Sequence, residues 1–367
     1  MKSILSFIIV AIMIPGFNEP VSIQKPPEGK LPVADNLFII TTDGFRWQEL
    51  FTGADSIIIS NEEFTPDTGT IKSMYWAESP EERRKKLMPF FWNVIASKGQ
   101  LFGNRHYDNL VNVANPYSIS YPGYNEIFTG NTDVTVSSNK KKNNPNINIL
   151  EYLNNTDGFK GRVAAFTSWD VFPYILNTSR NHLPVNSGYN ETGELPVSAE
   201  QQLISAVQTD AVYDKTATRH DALTFLTAKE YIQQKHPRVV YLGLGETDEY
   251  AHQGRYDQYL NKANEVDKMI AELWHWVQTT PGYKDHTTFI ITTDHGRGSK
   301  SNRWTSHGEF ISGSSQTWFA IMGPGIKNTG EVKQKGQYYQ QQLAQTIAAV
   351  LGEEFTAGNA APPVSLR

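Results

Sequence analysis

The sequence contains no cysteine. That absence excludes a disulfide framework, a thiolate metal site and a lipid anchor attached through an N-terminal cysteine. Any bound ion must be held by His, Asp, Glu or hydroxyl oxygens. Charge of one sign is also lacking. The 33 Lys and Arg against 38 Asp and Glu leave a net charge of -5, which gives no pull toward nucleic acid, and none is expected as a partner. Long hydrophobic runs are missing too. The apolar stretch Ile4 to Ile14 is eleven residues, too short to span a bilayer, and no later segment is apolar enough to cross one. Placed after Lys2, that stretch reads as the core of a secretory signal over about residues 1–20, removed on export. The expected product is periplasmic or secreted, with no stable membrane anchor after signal removal.

The chain has 367 residues, of which 39% are hydrophobic and 12% aromatic. That is ample for a large core, and the aromatic share suits a nucleotide- or carbohydrate-sized cleft. Two stretches organise it. Residues 38–44 read FIITTDG and residues 289–296 read FIITTDHG. Nothing around them matches, so they are not a repeat. Continuous apolar, β-branched runs mark strands buried on both faces, the kind found in parallel sheets. Each run delivers an aspartate at its C-terminal end, Asp43 and Asp294, and that edge of an open α/β sheet is where ligands bind. His295 follows at once, and His307 comes twelve residues later in a Gly/Ser-rich loop. An oxygen and imidazoles delivered to one small volume form a transition-metal ligand set; the alternative is a loop Asp with surface His.

A third strand, Val239 to Leu244, leads into GETDEYAHQG. Asp248 and His252 lie four apart, so a helix there places both on one face. Ser120 stands where a small, Pro/Gly-punctuated loop turns into a helix expected over about 123–129. Such a helix start favours an anion. A serine at this place can also be only a cap. Asn139, in the basic loop 137–145, is a candidate for contact with a bound oxyanion. His220 and Asp221 read as capping and packing groups. Further helices are expected over 80–98, 219–235, 256–278 and 338–351, with strands over 163–167 and 317–322. A single domain over 33–356 is expected, with small inserts near 53–80 and 171–215. The fold class is α/β: a doubly wound, mostly parallel sheet with helices on both faces.

Taken together, Asp43, Ser120, Asp248, His252, Asp294, His295 and His307 resemble in order and local wording the alkaline phosphatase superfamily, within it the nucleotide pyrophosphatase/phosphodiesterase branch. The resemblance spans about residues 35–355. It implies two divalent ions, Zn2+ in preference to Mn2+ or Mg2+. Asp248, His252 and His307 would hold one; Asp43, Asp294 and His295, with the Ser120 oxygen, would hold the other. It further implies hydrolysis of a small phosphoric ester, diester or monoester, through a phosphoserine on Ser120. Sulfatase-like or phosphonate hydrolysis, and a non-catalytic binding protein on the same fold, are the alternatives. Sulfatases of the superfamily need a modifiable Cys or Ser in a C/S-x-P-x-R frame. Here Ser120-Tyr121-Pro122-Gly123-Tyr124 matches until Tyr124 replaces the Arg.

Overall fold

The computed structural model describes residues 33–189, 198–212, 215 and 218–366. The expected secretory signal lies outside them. Among the described residues no helix is long and apolar enough to cross a membrane.

Eleven strands are present among the described residues: β1 (Asn36–Thr42), β2 (Gly99–Phe102), β3 (Asn109–Asn112), β4 (Val163–Thr167), β5 (Val185–Ser187), β6 (Val239–Leu244), β7 (Thr287–Thr292), β8 (Gln316–Thr317), β9 (Phe319–Met322), β10 (Gly330–Glu331) and β11 (Gly336–Tyr339). Eight form one sheet in the order β10-β2-β9-β7-β1-β6-β4-β5. The five strands from β7 to β5 run parallel, and β9 is antiparallel to both β7 and β2. A small second sheet has the order β11-β3-β8.

Every residue of β1, β4, β6 and β7 is buried, which is why their sequences are continuous apolar runs rather than alternating ones. The two similar stretches are adjacent strands in matching register: Phe38 pairs with Phe289, Ile39 with Ile290, Ile40 with Ile291 and Thr41 with Thr292. The Phe38 and Phe289 rings stack with centroids 5.2 Å apart. Asp43 and Asp294 therefore leave the sheet side by side, and β6, on the other flank of β1, ends level with them. Helices cover both faces. Tyr256–Thr279 and Asp221–Lys235 pack on one; Ser120–Thr129, Ile149–Asn154 and Leu343–Val350 pack on the other.

Local departures from the expected elements have identifiable causes. The helix expected over 80–98 reaches Lys98 but is interrupted at Met88: Pro80–Leu87 is followed by a second helical stretch that winds as a π-helix over Phe91–Ile95 and ends with Ala96–Lys98. Pro89 disfavours helical backbone at Met88 and offers no N–H. The Asp267 carboxylate then accepts from the freed N–H groups of Phe90 and Phe91, both at 2.7 Å. The last helix starts at Leu343 rather than near 338, because Gly336–Tyr339 pairs with β3 instead. The strand expected over 317–322 is divided at Trp318 between the two sheets. Within 53–80 lies one helix, Thr68–Tyr75. Within 171–215, β5 joins the main sheet at its edge, and Ala199–Asp210 is helical.

Candidate metal centre

Three neighbouring strand ends deliver the candidate groups. Asp43 follows β1, Asp294 and His295 follow β7, and Asp248 and His252 sit on the short helix Glu246–His252 straight after β6. Gly44 makes room for this convergence. Its φ of +59° suits glycine, and a Cβ there would lie 2.7 Å from Asp248 Oδ1 and 3.2 Å from His295 Cε1.

Ser120 comes from the opposite layer. The helix begins at Ser120 itself, three residues before the expected start, with Ile119 as its extended cap residue. Ser120 is thus the first helical residue and not a side-chain N-cap. All ten residues of this helix are buried. Gly123 lets it press against the strand end, since a Cβ there would meet the Asp294 carbonyl oxygen at 2.5 Å. The result is a Ser120 Oγ 3.3 Å from His295 Nε2.

His295 Nε2 is the hub of the first cluster. It lies 3.3 Å from Asp43 Oδ1 and 3.4 Å from Asp294 Oδ2. The other oxygen of each carboxylate is occupied. Tyr124 donates its hydroxyl to Asp43 Oδ2 at 3.1 Å, and Gly44 donates its N–H to Asp294 Oδ1 at 3.1 Å. Asp43 Oδ1 and Asp294 Oδ2 are buried and have no hydrogen-bond partner. His295 Nδ1 faces the Gly296 carbonyl at 2.9 Å, which places the ring proton there and leaves Nε2 as a lone-pair donor. Two orphaned carboxylate oxygens and one oriented imidazole nitrogen are a donor set that fits a divalent cation.

The second cluster shares this logic. Asp248, His295 and His307 offer ligand atoms all within 4.8 Å of one another. His252 Nε2 is 3.2 Å from Asp248 Oδ2 and 3.0 Å from His307 Nε2. His307 Nδ1 donates to the Ser118 carbonyl at 3.1 Å, so its Nε2 also points inward as an acceptor. The spacing thus puts His295 on the boundary between the two clusters, stacked on His307 with ring centroids 3.8 Å apart.

The electrostatics of the cluster favour a bound cation. Burial, and then the charge of Asp248, raise the Asp43 carboxyl well above the usual range. Burial and then Asp43 do the same to Asp294. A bound cation reverses that penalty. Asp248 differs. Burial pushes it up, but Arg297, followed by His252 and His307, outweighs burial and holds it well below the usual range. Burial, then His295, pushes His307 well down, toward the neutral ligand form.

All seven predicted residues therefore meet in one place. Asn139 is exposed, and its Oδ1 accepts the Tyr121 N–H at 2.9 Å, one residue past Ser120. His220 and Asp221 stay outside the clusters as capping groups: Asp221 accepts from the N–H of Gly245 at 2.8 Å and of Glu246 at 3.1 Å. Four supporting residues are not marked by the sequence reading: Tyr124 on Asp43, Arg297 on Asp248, Ser118 on His307, and Glu126 behind the 114–119 loop. Only Tyr124 carried a signal, as the residue that breaks the sulfatase-type frame.

Residues 185–352 match the model of the Metalloenzyme superfamily. No curated protein matches the sequence. Among solved structures, alkaline phosphatase PafA is similar with a TM-score of 0.58 and 11% identity, over 92% of this chain and 99% of that one. The lipoteichoic acid synthase LtaP from Listeria monocytogenes gives 0.57 and 11%, over 92% and 77%. A putative sulfatase from Bacteroides thetaiotaomicron gives 0.57 and 14%, over 91% and 74%. At such identities the likeness carries the fold, and it does not single out the nucleotide pyrophosphatase/phosphodiesterase branch.

Proposed function

We propose that this chain, whose residues 185–352 match the Metalloenzyme superfamily model, is a two-metal hydrolase of small phosphoric esters that works through Ser120. The observation that supports this reading best is the meeting of Ser120 Oγ with His295 Nε2 and the two orphaned, buried oxygens of Asp43 and Asp294. Asp43, Asp294 and His295 would hold one ion beside Ser120; Asp248, His252 and His307 would hold the other. Nitrogen and oxygen donors without thiolate suit Zn2+, with Mn2+ or Mg2+ as substitutes. Ions held there would supply Lewis acidity, which would lower the cost of deprotonating Ser120 near neutral pH and of charge on the leaving oxygen.

The rest is done by the protein. The fully buried helix and the Gly123 contact fix Ser120 Oγ, so little orientation is left to chance at attack. Ser120 Oγ forms a bond to phosphorus while the ester oxygen departs in line, and the serine proton passes to solvent. Water then displaces Ser120 from the phosphoserine and releases phosphate or its monoester. The N-terminus of the helix faces the charge that develops on the equatorial oxygens. Asn139 stands at that N-terminus; with its carbonyl oxygen held by Tyr121, its amide group is the part left to meet an oxyanion.

Sulfate-ester or phosphonate hydrolysis is the second reading, since a 2-O GAG sulfatase is among the similar structures. Two features favour phosphate. The chain has no cysteine to convert, and Tyr124, where the sulfatase frame has Arg, spends its hydroxyl on Asp43. A non-catalytic binder descended from such an enzyme should have lost at least one of the seven groups, and all seven are present. The expected setting is extracytoplasmic, with no nucleic acid partner.

The test compares kcat/KM of zinc-loaded protein for p-nitrophenyl phosphate, bis-p-nitrophenyl phosphate and p-nitrophenyl sulfate. Preference for either phosphate ester supports the proposal and separates monoesterase from diesterase. Preference for the sulfate refutes it, and no turnover of any of the three favours the binding protein.

A further inference from the structure

Ser120 and His307 approach the site from different parts of the chain, and both depend on one short loop, 114–119. Its backbone is unusual. Ser118 has a φ of +48°, a left-handed conformation that side chains other than glycine rarely adopt. This strained residue turns its carbonyl oxygen to His307 Nδ1 at 3.1 Å, and Ser120 follows two residues later. Such a conformation persists only where neighbours over-determine it.

The neighbour that does so is Glu126, which is completely buried. Its carboxylate accepts from the Ala114 N–H at 2.7 and 2.9 Å, the Asn115 N–H at 3.0 Å, the Asn115 Nδ2 at 2.9 Å and the Gln341 N–H at 3.2 Å. None of these partners is a Lys or Arg. Four of these five hydrogen bonds hold the loop, and the fifth ties it to the turn before the last helix. Asn115, so oriented, accepts with Oδ1 from the Tyr117 N–H at 3.1 Å and the Ser118 N–H at 2.9 Å. The chain of contacts runs Glu126, Asn115, Ser118, His307. Glu126 sits on the same helix that begins with Ser120, so the helix carrying the nucleophile also folds back the loop that orients the metal ligand.

We infer that Glu126 is a positioning residue that keeps Ser120 and His307 in register, acting through Asn115 and Ser118 without touching either one. The inference rests on the reading of Ser120 as nucleophile and His307 as metal ligand. Outer contacts of this kind, removed, cost roughly 10–100-fold in metal affinity or activity.

The test uses the full chain loaded with zinc. E126Q keeps the side-chain volume and replaces an acceptor oxygen by a donor facing N–H groups. Its kcat for the preferred p-nitrophenyl ester should fall roughly 10–100-fold while KM moves less, and one zinc should be lost to a chelator sooner than in wild type. Circular dichroism should show E126Q fully folded under the assay conditions, so that the fall in kcat is not a loss of folded protein. N115A, which cuts the chain one link later, should act in the same direction and decides the matter if E126Q does not fold. S120A and H307A run alongside. An inactive S120A beside E126Q and N115A that both keep wild-type kcat and zinc retention overturns the positioning role alone. Turnover retained in S120A overturns the site reading, and this inference with it.

Discussion

Replacing Asp294 by Asn should move stability in opposite directions with and without metal. Asp294 is fully buried; one oxygen accepts from Gly44 and the other has no partner. Without metal, its charge is opposed by burial and by Asp43. Asn keeps the acceptor for Gly44 and removes the charge. The metal-free variant should therefore be more stable than metal-free wild type, on the order of 1 kcal/mol. With metal the balance inverts. An ion present at a thousand times its Kd stabilises the folded state by about 4.1 kcal/mol. For a chain of this length the unfolding entropy is roughly 0.8 kcal/mol/K, so each ion raises Tm by about 5 °C. D294N should forfeit most of that gain for the ion beside Ser120. Differential scanning calorimetry in EDTA and in excess zinc reads both effects. Wild type should rise strongly on zinc addition, and the variant should start higher and finish lower. Equal zinc-induced rises in the two proteins would refute the ligand role of Asp294, and a large loss of stability in EDTA would refute the charge argument.

Other consequences are as direct. Y124F removes the hydroxyl that Asp43 Oδ2 accepts from, and zinc affinity, measured by competition with a chelating dye, should fall roughly tenfold; unchanged affinity would count against Asp43 as an oriented ligand. H252A should lower the zinc content by one ion per chain in elemental analysis, since its Nε2 faces both Asp248 and His307; a full complement would rule out the proposed ligand split. Burial raises the Asp267 carboxyl to about 6. The folded protein thus holds that proton where the unfolded chain has lost it, and stability falls as pH rises from about 4 to about 6. D267A should flatten that part of the curve in urea titrations and cost about 2 kcal/mol by stranding the Phe90 and Phe91 N–H groups; an unaltered slope would show that Asp267 is not the titrating group.

The centre of the fold was legible because burial on both faces leaves a strong mark: β1 and β7 read as uninterrupted apolar runs, and their shared wording is their shared register. The metal-type residues were legible because strand ends are few and Asp, His and Ser at them are chemically distinctive. What escaped is whatever depends on distant partners. Gly336–Tyr339 follows β3 only through pairing across more than two hundred residues, so its own residues did not declare a strand. Glu126 looks like any helical glutamate until the 114–119 loop folds onto it. Arg297, buried against Asp248, has no local pattern that marks it as part of the site. Pro89 was the exception: the break after Leu87 is a local effect that the helical reading of 80–98 overran.

With Ser120 as nucleophile, its side chain becomes covalently phosphorylated during turnover. The most direct measurement mixes zinc-loaded protein with its preferred p-nitrophenyl phosphate ester, quenches in acid within one turnover, and maps the phosphorylated peptide by mass spectrometry. The expected result is a phosphoryl group on Ser120, formed only with metal present and absent from S120A. Steady turnover with no phosphoserine, or with the phosphoryl group on another residue, would contradict it.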